Sequence, residues 1–350
     1  GRPRMSKAAE LAALIGSQTA LSNRNLIING AMQVAQRGTS ASVSDGSNEG
    51  YQTLDRFKFD YGNNAGGVAT ISQDTTVPSG YGFSNSYKVD VTTADTSLDS
   101  THQIFFRTIL EAQNIRNSGW NYTSASSFIT LSFWAKSSKA GTYNIAFRAS
   151  DVGALYYLVE YTLVADTWKK VTATIPGDSS LVFNNDNGNG LEIRWNLALG
   201  TDRNDGTANQ WNSVSSNNAG TSNQVNFFDS TSNNFYLTGV QLEVGEQATP
   251  FEHRSFGDEL ARCERYYETG RFAFKVPTEG VTNLSSGIGG YHSFVTTKRA
   301  APTLTSSNST AEKVDTTSLN PYTSGIEFNG RVTDGTRSRW IGTFTADSEL

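Results

Sequence analysis

Cysteine is almost missing: Cys263 stands alone in 350 residues. One thiol excludes an internal disulfide framework and any Cys-based zinc site. The chain must hold itself together by packing, helped outside a cell by oligomerisation. Histidine is scarce too. His102, His253 and His292 are far apart and match neither H-x-x-x-H nor H-E-x-x-H, so hydrogen-bonded or solvated rings are expected rather than a metal centre. Only 17% of the residues are charged, against roughly 25% in an average soluble chain. No basic run supplies the footprint of a nucleic-acid binder. No basic amphipathic helix suits a membrane surface. No stretch of about 18 apolar residues marks a spanning helix.

Neutral polar residues and rings fill the deficit: Asn, Ser, Thr, 32 glycines and 11% aromatics, with a net charge of -5. That balance suits extracellular β-proteins. The length predicts two or three domains at roughly 150 residues each. Near the start, Ser6 caps a short helix ending by Gly16, and Ala8, Leu11, Ala12 and Ile15 fall at i, i+3, i+4, i+7. Glu10 interrupts this patch, which is too short for a signal-peptide core. So short a helix is unstable alone in water. Its stripe is therefore expected to dock on its own protomer, on sister chains or on a larger assembly.

From Asn25 to about Pro250 the period is two. Ile129, Leu131, Phe133 and Ala135 alternate with Thr130, Ser132, Trp134 and Lys136. The pattern returns at Tyr143–Phe147, Tyr157–Leu163, Val171–Ile175, Leu191–Leu199 and Asn234–Glu243. Strands at this spacing, with turns such as Pro176-Gly177-Asp178, predict an antiparallel β-sandwich or jelly roll. Loops are expected at 40–50, 183–190 and 201–223. A second helix is expected from Gly257 to Glu268, with Ser255 and Asp258 as its capping box and Leu260, Cys263 and Tyr266 or Tyr267 on one stripe. Alternation resumes at Phe272, Phe274 and Val276 and again at Ile326, Phe328, Trp340 and Phe344. The expected organisation is all-β: an N-terminal helix and anchor (1–24), a jelly roll (25–254), a linker helix (255–270) and a small β-domain (271–350).

Catalytic chemistry finds little support. No G-x-S-x-G elbow and no phosphate loop occur, and Cys263 lies on an apolar stripe as a small buried residue would. Glu160, Glu192, Asp166 and Asp186 are candidate glycosidase carboxylates, but such residues occur in any all-β chain. Asp186-Asn187-Gly188-Asn189-Gly190 has the oxygen donors of a calcium loop without its full pattern, and an Asn/Gly turn is the plainer reading. No cofactor is expected. A binding surface remains. Sugars offer apolar faces to rings and hydroxyl rims to polar groups. Trp120 and Tyr122, Trp211 with Asp202 and Arg203, and Tyr81 between Gly80 and Gly82 are the candidate platforms. Each ring has an alternative role as a plug at the sandwich edge. Trp134, Trp168, Trp195 and Trp340 are expected in the core or on sheet faces.

Several segments share one likeness: Asn25-Leu-Ile-Ile-Asn-Gly-Ala-Met32, Gln36-Arg37-Gly38, Leu54-Asp55-Arg56-Phe57, Leu131-Ser-Phe-Trp-Ala-Lys-Ser137, Ile175-Pro-Gly-Asp178, Thr238-Gly-Val-Gln-Leu-Glu-Val-Gly245, Thr249-Pro-Phe-Glu-His-Arg254 and Cys263-Glu-Arg-Tyr-Tyr267. In this order they resemble tail-fibre or receptor-binding appendage proteins of tailed bacteriophages. The resemblance implies a jelly roll like that of carbohydrate-binding modules. It also implies a virion component, commonly a homotrimer, that recognises host cell-surface polysaccharide and transfers no catalytic residues. No long collagen-like or β-helical shaft is present. The N-terminal stripe then becomes the expected attachment to other virion proteins. Two other roles remain open, a structural decoration or adaptor protein and a polysaccharide-depolymerising tail enzyme.

Overall fold

Alternating apolar and polar side chains form strands because successive residues point to opposite faces of a sheet. The computed structural model describes residues 23–350 except 152, 154, 214–218, 277–286, 313 and 333–337. The N-terminal stripe, Ala8, Leu11, Ala12 and Ile15, lies outside the described residues. The chain divides into two units, one of 1–33, 40–53 and 57–254, the other of 34–39, 54–56 and 255–350. The helix near 256 therefore belongs to the second unit, as do two short pieces from early in the sequence.

The first unit runs β1 (Ser40–Ser44), β2 (Lys58–Gly62), β3 (Val68–Asp74), β4 (Ser86–Thr93), β5 (Gln103–Glu111), α1 (Ala112–Arg116), β6 (Phe128–Ser137), β7 (Gly141–Ala149), β8 (Leu155–Leu163), β9 (Lys169–Pro176), β10 (Asn189–Leu199), β11 (Trp211–Ser213) and β12 (Asn234–Val244). One sheet has the order β1-β3-β4-β12-β6-β9, the other β11-β8-β7-β10-β5-β2. Counting β4 to β10 and then β12 as strands 1 to 8 turns these orders into 1-8-3-6 and 5-4-7-2. That is a jelly roll, and each strand pairing in it is antiparallel.

The alternation decides which residues fill the space between the sheets. Leu131 and Phe133 of β6 and Ile193, Trp195 and Leu197 of β10 are all buried there. Trp195 stacks on Phe106 with centroids 5.4 Å apart and receives the edge of Phe133 at 5.8 Å. Such ring pairs add about 1 kcal/mol each beyond the area they bury. β1 occupies part of the stretch expected as a loop at 40–50. Its sequence, Ser-Ala-Ser-Val-Ser, carries one deeply buried apolar residue, Val43. Pairing to β3 recruits it as an edge strand without a strong local signal.

In the second unit, α2 (Phe256–Glu264) precedes β13 (Tyr267–Val276), β14 (Gly287–Ser293), β15 (Thr303–Glu312), β16 (Val314–Tyr322), β17 (Gly325–Val332) and β18 (Ser338–Asp347). They form two sheets, β13-β18-β15 and β14-β17-β16. Ser255 caps α2, its Oγ accepting from Asp258 N at 3.2 Å and donating to Asp258 Oδ2 at 2.7 Å. The helix stops four residues short of the expected Glu268. Tyr267 already pairs with Asp347 in β18, and the ladder takes over the backbone. Phe272, Phe294, Ile326, Phe328, Trp340, Phe344 and Ala346 form this unit's core.

Candidate functional site

The outward face of the first sheet carries the even-numbered residues of β6. Ser132, Trp134 and Lys136 point away from the core that Leu131, Phe133 and Ala135 fill. Cross-strand register sets Lys170 of β9 on one side of Trp134 and Thr238 of β12 on the other. A cleft of about 500 Å³ opens over this point. Its walls are the β3–β4 loop, with Tyr81 and Phe83, and the segment after β12, with Thr249, Phe251 and His253.

Each wall has a local cause. After Thr238 the β12–β6 ladder slips by a bulge. Gly239 within it has φ +64°, and a Cβ there would stand 2.6 Å from Phe83 Cζ. Only glycine combines that left-handed backbone with such a close ring. Phe83, Phe251 and His253 then form a three-ring cluster with centroids 4.9–5.2 Å apart. The returning segment is pinned by β12 itself. Glu243 accepts from Thr249 N at 2.8 Å and Thr249 Oγ1 at 2.7 Å, and Gln241 Oε1 accepts from Glu252 N at 2.8 Å. Thr238 Oγ1 donates to Asn85 O at 2.7 Å and ties down the opposite wall. His253 Nε2 lies 3.1 Å from the Tyr81 carbonyl oxygen. Because that oxygen only accepts, Nε2 carries the proton.

Tyr81 is 53% exposed. Its ring lies 4.3 Å from that of Trp134, inclined at 46°. Two rings thus meet at the mouth of the cleft, with the exposed Lys170 beside them. No Asp or Glu is among the lining residues. The arrangement offers apolar ring faces, an ammonium group and hydroxyls.

The platforms expected from sequence are distributed differently. Trp120 is 3% exposed, its Nε1 donating to Ser127 O at 3.2 Å and its ring packed against Tyr122 and Phe183. It has no free face to offer. Trp211 is the first residue of the edge strand β11. It packs edge-on against Tyr157 and donates from Nε1 to Pro176 O at 2.9 Å. Tyr122 is half-buried, and its carbonyl accepts from Asp178 N at 2.8 Å. These three rings gather around the Pro176–Asp178 turn. Asp202 and Arg203 do not join them. They lie just past the other end of β10, where Asp202 Oδ2 accepts from Ser100 Oγ at 2.7 Å and Arg203 Nε donates to Thr101 O at 3.1 Å.

Several asparagine amides are spent on the fold. Asn212 Nδ2 bonds the carbonyls of Thr207, Gln210 and Tyr156, Asn196 Nδ2 bonds Ala219 O, and Asn144 Oδ1 accepts from Thr221 N. In the candidate calcium loop, Asp186 Oδ1 accepts from Gly188 N at 2.9 Å, an Asx turn. Among the described residues no group of three His, Cys, Asp or Glu side chains converges for a metal.

Of the candidate carboxylates, Glu192 sits where a charge is most constrained. It is 1% exposed and meets Arg107, Arg148 and Arg194 at 2.6–2.7 Å. Burial alone would raise its pKa, but Arg194, Arg107 and Arg148 outweigh it and hold the carboxyl well below its usual range. A general acid needs the opposite shift. Glu160, on β8 of the same sheet, accepts from Thr221 Oγ1 and from Asn223 Nδ2.

No protein-family model and no curated protein matches the sequence. Among solved structures, the enzymatically active domain of tailspike protein 4 from Bacteriophage CBA120 aligns over 63% of this chain and 22% of its own, at 13% identity and TM-score 0.34. A family 4 carbohydrate-binding module (CBM4) aligns over 62% of this chain and 98% of its own, at 16% identity and TM-score 0.31. The family 11 carbohydrate-binding module of a cellulosomal cellulase of Clostridium thermocellum aligns over 61% and 98%, at 13% identity and TM-score 0.30.

The sequence places Trp134 in the core or on a sheet face and says nothing of its partners. Its position carried a signal all the same: a large ring on the polar side of an alternating strand, next to Lys136. That Tyr81, Phe251 and His253 come to the same place depends on how the loops close.

Proposed function

We propose that this protein is a non-catalytic saccharide-binding component of a bacteriophage tail or surface appendage, exposed outside the cell. Its target is host cell-surface polysaccharide, and it acts as an oligomer, most simply a homotrimer. The observation that carries the binding is the Tyr81–Trp134 pair: a ring more than half exposed, set against a second ring at the mouth of a cleft. Ligand clefts are lined by rings with a few polar groups among them, and an exposed ring at the edge of such a cleft is placed to stack on a ligand. A pyranose lays its C–H face on such rings while its hydroxyls reach Lys170, Ser132 and backbone groups around the cleft. The virion setting rests on the sequence motifs that resemble phage appendage proteins. In that setting residues 8–15 attach to other virion proteins, and neither nucleic acid nor membrane insertion takes part. Several weak contacts on one particle then sum to firm attachment.

The test is a glycan array and a host-cell binding assay on the assembled protein, with Tyr81→Ala and Trp211→Ala compared. Tyr81→Ala is expected to lower binding at least tenfold with an unchanged melting temperature, because the ring is exposed. Trp211→Ala, at the opposite sheet's edge, is expected to lower stability instead. Full binding by Tyr81→Ala overturns the site. No saccharide or cell bound at all favours the adaptor reading.

A further inference from the structure

Beyond the cleft, the same sheet face continues along β6 and β12 to β4. Tyr236 of β12 lies between Lys88 of β4 and Lys136 of β6 in the cross-strand register. Lys136 Nζ stands 4.7 Å above the Tyr236 ring and 6.0 Å from the ring of Trp168. Lys88 Nζ is 5.9 Å from Tyr236 on its other side. Trp168 itself lies 6.2 Å from Tyr236, just before β9. Two residues along β6 from Lys136 is Trp134, and Lys170 faces it. A strip of rings and amines therefore runs from the cleft toward β4.

The charges on this strip lean positive: Lys88, Lys136 and Lys170 outnumber Asp74 and Asp90, the two carboxylates near Tyr236. Among the described residues neither Lys136 nor Lys170 has a carboxylate within 4.0 Å, and Lys88 has one, Asp90 at 3.5 Å, whose side chain is 42% exposed. An exposed pair of that kind gains little. The protein as a whole is acidic, at -5. Three ammonium groups gathered on one face run against that balance. The rings under Lys136 hold its amine in place without neutralising it. Its charge stays available and it needs little further ordering to bind.

We propose that this strip reads the charge of the ligand: the saccharide bound at Tyr81 and Trp134 belongs to an acidic polysaccharide. Its anionic groups, carboxylate or sulfate, sit against Lys136, Lys88 and Lys170 while its sugar rings lie on Tyr81, Trp134 and Trp168. From β9 to β4 the strip crosses three strand spacings, about 14 Å, enough for more than one sugar unit. The inference rests on the saccharide-binding reading above and specifies its ligand class.

The experiment is a titration of the assembled protein with acidic and neutral bacterial capsular polysaccharides, with dextran sulfate as a bare polyanion. It is run at low and at high salt, on the wild type, on the double variant Lys88→Gln with Lys136→Gln, and on Tyr81→Ala. Acidic polysaccharides are expected to bind best and to weaken at least tenfold in the double variant. High salt is expected to weaken them as well, since exposed charges are screened over roughly 8 Å at physiological ionic strength. Carboxylated and sulfated capsules separate the two sources of anion. Preference for neutral polysaccharide, or acidic binding unmoved by the lysine changes, overturns this inference and leaves the saccharide reading standing. Dextran sulfate bound as well as any capsule, with Tyr81→Ala without effect, overturns both, because a bare charge contact needs no rings.

Discussion

Glu192 shows how one buried residue couples charge to stability. Three arginines and Asn189 Nδ2 surround its carboxylate. Its folded pKa lies below its unfolded one. The stabilisation is therefore complete above the unfolded pKa, about 4.3, and is lost as pH falls toward the folded value. Glu192→Gln leaves three arginines facing a neutral amide. It is expected to cost about 3 kcal/mol at pH 7. Urea unfolding at pH 7 and pH 3 should show the gap between wild type and variant narrowing in acid. An equal gap at both values removes the ion cluster as its cause. In the sequence Glu192 was one candidate carboxylate among several. Arg194, two residues along the same strand, was the one local signal, while Arg107 and Arg148 come from strands more than 40 residues away, so the full ion cluster was not legible.

At the scale of elements, the motifs that resemble phage appendage proteins turn out to build a seam. Asn25 Oδ1 accepts from Ile27 N at 2.9 Å and from Leu242 N at 3.0 Å, and its Nδ2 donates to Val240 O at 3.2 Å. Glu252 Oε1 and Oε2 accept from Asn23 N and Asn25 N, and Arg254 donates to the carbonyls of Asn25 and Ile27. Gly30 lies so close to β12 that a Cβ would stand 2.1 Å from Val240 O. The segments at 25–30 and 238–254 are thus one hydrogen-bonded unit, and the second of them also forms a wall of the cleft. Asn25→Ala strands two buried N–H groups and a carbonyl, each costing roughly 1 kcal/mol or more. Thermal unfolding of that variant is expected to fall by about 2–4 kcal/mol in stability. A loss below 1 kcal/mol would mean the seam is not what closes the sandwich. The strands themselves were legible in the sequence, since β6 to β10 and β12 follow the alternation within a residue or two. β1 and the end of α2 were not, because pairing rather than local preference sets them.

For the whole molecule, the division into units does not follow the chain. Residues 34–39 and 54–56 belong with 255–350. There Arg37 bonds Asp347 at 3.0 Å and lies 3.6 Å over the Tyr267 ring. Arg56 pairs with Glu349 and lies 3.5 Å over Tyr266. A fragment of 23–254 loses these partners and leaves Arg56, 2% exposed in the whole chain, without its ring and carboxylate. It is expected to unfold at lower urea than the full chain. Fluorescence can follow this, because five of the six tryptophans precede residue 254. Equal midpoints would show that the two short pieces contribute nothing.

Composition and period two were enough to predict an all-β, disulfide-free chain with an antiparallel sandwich or jelly roll and a second β-unit. Strand formation depends on neighbours one and two residues away, and those are written in order along the chain. Which rings remain uncovered depends on loop closures and cross-strand register spanning up to 170 residues. Trp120 and Trp211 looked as available as Tyr81 until packing sealed the first and set the second into an edge strand. Only the folded arrangement brought Tyr81, Trp134 and the lysines of the outer face together, because burial is decided by what lies across space rather than along the sequence.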